Sequence, residues 1–109
     1  MTMSENRFQG SHDPDRSVFL LIEVKEILDP EMYEVYTRQA KPIIISHGGK
    51  YVMKSDNLIP LSGEWDTKRM VLLRFQSLGD LRGCFDSAQY RKIAHLRENS
   101  VVGKAIIIT

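Results

Sequence analysis

The stretch His47-Gly48-Gly49-Lys50-Tyr51-Val52-Met53-Lys54 constrains this chain more than any other, because a helical pattern halts there at two glycines and a strand pattern starts at once. Glycine enters the left-handed backbone region without a Cβ penalty, so a Gly-Gly pair behind a periodic apolar run stops a helix and reverses the chain. Upstream, Tyr33, Tyr36, Ala40, Ile43 and His47 recur at three- and four-residue steps, the spacing of one helical face. Asp29-Pro30-Glu31 opens that helix: Asp29 caps the free amides, Pro30 suits the first helical position, and Glu31 and Glu34 favour the positive dipole end. Pro42 removes one backbone hydrogen bond and predicts a kink before the last turn. A phosphate-binding loop is excluded, since it needs strand, glycine loop and helix in that order, ending Gly-Lys-Ser/Thr, whereas Tyr51 follows Lys50 here.

The remaining elements are arranged around that turn. Val18 to Lys25 reads as a strand with Val18, Leu20, Ile22 and Val24 on one face and Phe19, Leu21, Glu23 and Lys25 on the other. Tyr51 to Lys54 is a second strand, followed by a turn at Ser55-Asp56-Asn57 and a short strand over Leu58 to Leu61 interrupted by Pro60. After the loop Gly63-Glu64-Trp65-Asp66, Arg69 to Gln76 alternates Val71, Leu73 and Phe75 against Met70, Leu72 and Arg74. Ser77 with Asp80 resembles a capping box opening a helix, and Asp86 or Ser87 opens a second segment through Tyr90, Ile93, Ala94 and Arg97. Lys104 to Thr109 closes the chain as a strand. Residues 1–16 carry Phe8 as their large apolar side chain and bury too little to offset ordering, so a disordered tail is expected there, His12 included, ahead of one domain over 17–109.

Strand, helix, strand, strand, helix, strand in so short a chain predicts an α+β fold, the split βαβ of a ferredoxin-like domain, with a four-stranded antiparallel sheet and helices on one face. The opposite face, bearing Phe19, Leu21, Met70 and Leu72, stays apolar and uncovered. A homodimer that packs two such faces together is therefore expected.

Fifteen basic and fourteen acidic side chains, interspersed, leave a formal charge of +1, so no field is built for nucleic acid or an anionic membrane. The strand that would have to stack RNA bases also lacks the aromatic-glycine pattern, and its Phe75 falls on the helix side. One cysteine, Cys84, excludes an intrachain disulfide and reads as a structural thiol. His12, His47 and His95 are too scattered for a metal site, and no cofactor is expected. No apolar run reaches the ~18 residues of a membrane span. A soluble cytoplasmic protein is the expectation.

Asp29-Pro30-Glu31-x-Tyr33-x-x-Tyr36, Pro42, Gly48-Gly49-Lys50-Tyr51, Gly63-x-Trp65-x-x-x-Arg69, Phe75, Ser87-x-x-Tyr90 and Arg97, in that order, resemble the bacterial domain of unknown function 1330 family. The resemblance runs from about Val18 to Thr109 and implies a dimeric α/β barrel made of two ferredoxin-like protomers. It places Tyr36, Trp65, Arg69, Tyr90 and Arg97 at the family's recurrent positions. Lys54-Ser55 stands where the family usually has Arg-Gly, and Cys84 where an aromatic is common; if those positions line a pocket, a ligand of this member would differ.

Two classes of function follow. In the first, a small anionic organic molecule is bound or transformed: Arg69, Arg97 and Lys54 hold its charge, Tyr36 and Trp65 wall it, Tyr90 lies beside them, and His47 moves a proton. Each has a structural alternative: an ion pair of Arg69 or Arg97 with Glu64, Asp66 or Glu98, a loop anchor at Trp65, a helix-end histidine at His47. Haem ligation by His47 or His95 is a narrower variant. In the second class the chain is a non-catalytic structural or regulatory homodimer, since no nucleophile with its base and no paired carboxylates appear.

Overall fold

The computed structural model describes residues 16–109. Seven elements follow one another: β1 (Val18–Ile27), α1 (Pro30–Ser46), β2 (Lys50–Ser55), β3 (Arg69–Phe75), α2 (Leu78–Phe85), α3 (Ala88–Ser100) and β4 (Val101–Ile108). The strands pair antiparallel in the order β2-β3-β1-β4, which is the expected ferredoxin-like sheet. Within one chain the sheet is open, with β2 and β4 as edges, so a barrel requires a second copy. The tail expected over residues 1–16 lies, apart from Arg16, outside the described residues, as does His12. No helix among the described residues is long and apolar enough to cross a membrane.

Local chemistry accounts for each helix end. The Asp29 side chain accepts a hydrogen bond from Met32 N at 3.1 Å, and Pro30 follows it. At the other end Gly48 N bonds Ile45 O and Gly49 N bonds Ile44 O, both at 2.9 Å, the paired reversal of a Schellman motif. Gly48 has φ +83°, and a Cβ on Gly49 would sit 2.5 Å from Ile44 Cγ2 and 2.9 Å from Phe75 Cε2. One glycine thus serves the backbone and the other the packing. The helix continues through Pro42 to Ser46, and its inward stripe is Tyr33, Ala40 and Ile44. The apolar stripe therefore ends at Ile44 rather than at His47, which caps the helix half-exposed. Ser77 caps α2 by accepting from Asp80 N at 3.0 Å, and Ser87, not Asp86, caps α3 by accepting from Tyr90 N at 3.1 Å.

Alternation along the strands sorts the sheet's faces as expected. Val24 is buried, and Val18, Leu20, Val71, Leu73 and Phe75 share a core with Ala40 and Ile44 of α1, Leu81 and Cys84 of α2, and Tyr90 and Ile93 of α3. On the other face Phe19, Leu21, Met70 and Leu72 are half-buried and Ile106 of β4 is 60% exposed. Glu23 stands opposite Met70 and Lys104, and Arg74 opposite Phe19 and Lys50, so both project from this face near its two ends.

Three features depart from simple alternation. β1 runs two residues past Lys25 to Ile27 and its register with β4 shifts between Val24 and Glu26. At that irregularity Gly103 lies against the carbonyl oxygen of Glu23, where a Cβ has no room. β2 carries a second shift between Tyr51 and Met53. Leu58 to Leu61 is not a strand: residues 56–68 form an irregular connection held by Asn57 N to Ser55 Oγ (3.0 Å), Trp65 Nε1 to Ser62 O (2.8 Å) and Lys68 N to Val24 O (2.8 Å). Pro60 lacks the donor a ladder needs, and Ile59 and Leu61 are 92% and 101% exposed, with no strand face to pack on.

Candidate functional site

Between α1, α3 and the helix-facing side of the sheet lies a cleft of ≈ 900 Å³. Its floor is Leu20, Ile22 and Val24 of β1 with Val71 of β3, and its walls are the inner turns of the helices. Tyr33, Tyr36 and Ala40 reach it because three- and four-residue steps keep them on one side of α1; Tyr90, Ala94 and Arg97 do the same from α3. On β2 both Tyr51 and Lys54 line the cleft, although residues three apart on a regular strand face opposite ways. The register shift between Tyr51 and Met53 brings them to one face, opposite Leu73 and Val71 respectively.

All four tyrosines of the chain border this space. Tyr33 and Tyr36 stack with ring centroids 6.1 Å apart and an interplanar angle of 12°, and Tyr36 meets Tyr90 edge to face at 6.2 Å. Phe85 packs edge to face on Tyr90 at 4.9 Å. The phenolic oxygens of Tyr36 and Tyr90 are 2.7 Å apart, and Arg97 Nε donates to the Tyr90 oxygen at 3.2 Å. A tyrosine hydroxyl inside a helix-sheet layer needs a partner, and here two tyrosines supply each other's. Burial, reinforced by Tyr90, pushes the pKa of Tyr36 well above the ordinary phenol range, so its hydroxyl stays protonated at physiological pH.

The charged lining is unequal. On the helix side of the sheet Arg38, Lys41, Lys54, Arg82, Arg91 and Arg97 are set against only Asp86 and Glu98. In a chain of net charge +1 this excess is a local property of the cleft, and it favours an anionic occupant. Among the described residues no group of three His, Cys, Asp or Glu side chains gathers in metal-ligand fashion.

Of the residues singled out from sequence, Tyr36, Tyr90, Arg97 and Lys54 meet in this cleft. Arg69 does not reach it. Its guanidinium clasps Asp56, Nε to Oδ1 at 2.5 Å and Nη2 to Oδ2 at 2.9 Å, and lies over the Tyr33 ring at 5.7 Å. There it borders a smaller depression of ≈ 290 Å³ with Tyr33 and Lys54. The partner of Arg69 is thus Asp56 and not Glu64, Asp66 or Glu98; Asp66 pairs with Lys25 at 3.4 Å, and Glu98 stands 4.0 Å from Arg97. Trp65 is 54% exposed on the connecting loop and lines neither space. His47 also lies outside both, its Nδ1 3.0 Å from Ile43 O.

Tyr33, Tyr51 and Lys41 line the cleft although the sequence does not single them out as site residues. The three- residue step from Tyr33 to Tyr36 was the available signal for the first; the Lys41 ammonium over the Tyr51 ring, at 5.8 Å, joins α1 to β2 and leaves no trace in spacing. Cys84 is fully buried and its thiol is pushed up to about 11 by that burial, which makes it a packing group rather than a nucleophile.

The family model described as Domain of unknown function (DUF1330) matches residues 17–109. No curated protein matches the chain. Among solved structures, a protein of unknown function from Rhodopseudomonas palustris is similar with TM-score 0.73 and 20% identity, over 90% of this chain and 85% of that one. A dimeric ferredoxin-like protein of unknown function from Thermobifida fusca aligns with TM-score 0.59 and 13% identity, over 85% and 90% of the two chains. SnoaB, a cofactor-independent oxygenase from Streptomyces nogalater, aligns with TM-score 0.56 and 11% identity, over 85% and 89%. At such identities the likeness is one of fold.

Proposed function

The chain belongs to the DUF1330 family, a domain of unknown function, and from that premise we propose that it binds or transforms a small anionic organic molecule in the cleft between α1, α3 and the sheet, as one half of a homodimer. The observation that carries this reading is the convergence of Tyr36, Tyr90 and Arg97, linked through hydrogen bonds of 2.7 and 3.2 Å, in an apolar-floored cleft whose charged rim is mainly basic. Tyr36 supplies the hydrogen-bond donor, and Lys54 and Arg97 the positive charge. Arg69 takes an indirect part by holding the outer side of Tyr33 against Asp56.

The homodimer is supported by the apolar face of Phe19, Leu21, Met70, Leu72 and Ile106, and by the fold shared with a dimeric ferredoxin-like protein. The same face favours the second reading, a structural or regulatory dimer without a ligand. Calorimetric titration of the protein with a panel of small carboxylates and phenols separates the two. At least one anion is expected to bind, and to lose about tenfold in affinity in Tyr36→Phe and Arg97→Met. A panel without a binder, or binding indifferent to both replacements, overturns the ligand reading.

A further inference from the structure

We propose that the anion selected by this cleft has a single conjugated oxygen as its head group, a phenolate or an enolate, and that the Tyr36 hydroxyl holds it while Tyr90 and Arg97 act as positioning residues that aim that hydroxyl. The proposal rests on the reading of the cleft given above and narrows it to one chemical class.

Proton counting sets the direction of the array. A guanidinium has donors only, so the Tyr90 oxygen accepts from Arg97 Nε. A hydroxyl whose oxygen accepts from a cation becomes the stronger donor of a pair, so in the proposed array the Tyr90 proton is the one directed at the Tyr36 oxygen, 2.7 Å away. The proton of Tyr36 is then the uncommitted one, and no other group among the described residues takes it. Since Tyr36 lines the cleft, the array Arg97, Tyr90, Tyr36 ends in one donor directed at an occupant. Burial keeps that hydroxyl protonated, so it donates a hydrogen bond without surrendering its proton.

A carboxylate is matched best by two parallel N–H groups of one guanidinium. Neither guanidinium beside the tyrosines offers that fork freely. Arg97 commits Nε to Tyr90 and has Nη2 4.0 Å from Glu98, and Arg69 closes its fork on Asp56. Arg82 and Arg91 are exposed at the rim, where water screens them. Lys54 adds a point charge without a planar fork, so the Tyr36 hydroxyl meets a single acceptor oxygen, and the apolar floor with the Phe85 and Tyr33 rings suits the flat body that conjugation imposes.

The probe pair is 4-nitrophenol and 4-nitrobenzoate, which share ring and nitro group and differ in the head, with binding followed by absorbance and calorimetry on the intact protein. The phenolate is expected to bind about tenfold more tightly than the carboxylate, and its affinity to rise with pH as the probe ionises, so that bound nitrophenol ionises at lower pH than free. Tyr36→Phe abolishes this spectral shift; Tyr90→Phe and Arg97→Gln lessen it while leaving the circular dichroism unchanged, which a merely structural role does not produce. If 4-nitrobenzoate binds in a Tyr36-dependent way and nitrophenol does not, the head-group inference is overturned and the anion reading stands. Failure of both probes overturns the two together. A shift that survives Tyr36→Phe overturns the donor assignment, and a wild-type affinity that ignores probe ionisation overturns the proposal even if the variants do not fold.

Discussion

The hydroxyls of Tyr36 and Tyr90 stand 2.7 Å apart although 54 residues separate them in the chain, and this contact ties α1 to α3 at the place where the cleft is polar. The two ends of the bond are not equivalent. Removing the Tyr36 hydroxyl leaves Tyr90 bonded to Arg97, whereas removing the Tyr90 hydroxyl strands both Tyr36 and Arg97 Nε. Tyr90→Phe is therefore expected to cost about 1–3 kcal/mol of stability and Tyr36→Phe only about 1 kcal/mol or less. Urea denaturation of both variants checks the order; equal losses contradict it.

The two glycines after α1 serve different ends, so alanine should distinguish them. Gly48→Ala meets open space but keeps a positive φ, at a cost of about 1–2 kcal/mol. Gly49→Ala drives a methyl into Ile44 and the fully buried Phe75, and should be the more destabilising by about 1 kcal/mol or more. Thermal unfolding of the pair decides it.

Placing a carboxylate in the middle of the uncovered sheet face should dissociate the proposed dimer. Leu72 pairs with Leu21 there, one strand from Ile106, so Leu72→Glu buries a charge without a partner whenever two faces meet. Sedimentation velocity is expected to show the wild type at twice the mass of the variant, with the helical circular dichroism retained. A wild type that sediments as a monomer removes the homodimer from the reading.

The ion pair at the base of the long connection carries a pH signature. The hydrogen bond from the Arg69 guanidinium holds the Asp56 carboxyl below the ordinary carboxylate value. A carboxylate of lowered folded-state value contributes stability above its unfolded value and loses that contribution as pH falls through the folded one. Asp56→Asn should therefore be less stable than the wild type near neutrality and equal to it in strong acid. Because Asp56 is exposed, the difference should not exceed about 1 kcal/mol. Urea midpoints across an acid pH series measure it, and a difference that persists in strong acid tells against the pairing.

Much of the fold was legible from short-range chemistry. Asp29, Ser77 and Gly48-Gly49 end helices through bonds to residues two to four away, and Leu73 and Phe75 turn inward because strand side chains alternate. Four of the seven candidate site residues border the cleft: Tyr36, Tyr90 and Arg97, which family resemblance pointed to, and Lys54, a strand lysine that stands where the family usually has arginine. Trp65, Arg69 and His47 fall outside the cleft, for reasons that spacing does not carry: a loop that projects, an Asp56 close enough to clasp a guanidinium, a helix whose apolar stripe ends three residues early.

What the sequence by itself determined is the order of elements, their ends and the inward face of each central strand, since those depend on interactions among near neighbours in the chain. Tertiary structure alone decided the candidate site. The register shift in β2 put Tyr51 and Lys54 on one face, Tyr36 met Tyr90 across two helices, and six basic side chains scattered through a nearly neutral chain were gathered around one space. Strand register and helix placement come from packing the whole core, and a one-residue slip in either would point the same side chains elsewhere.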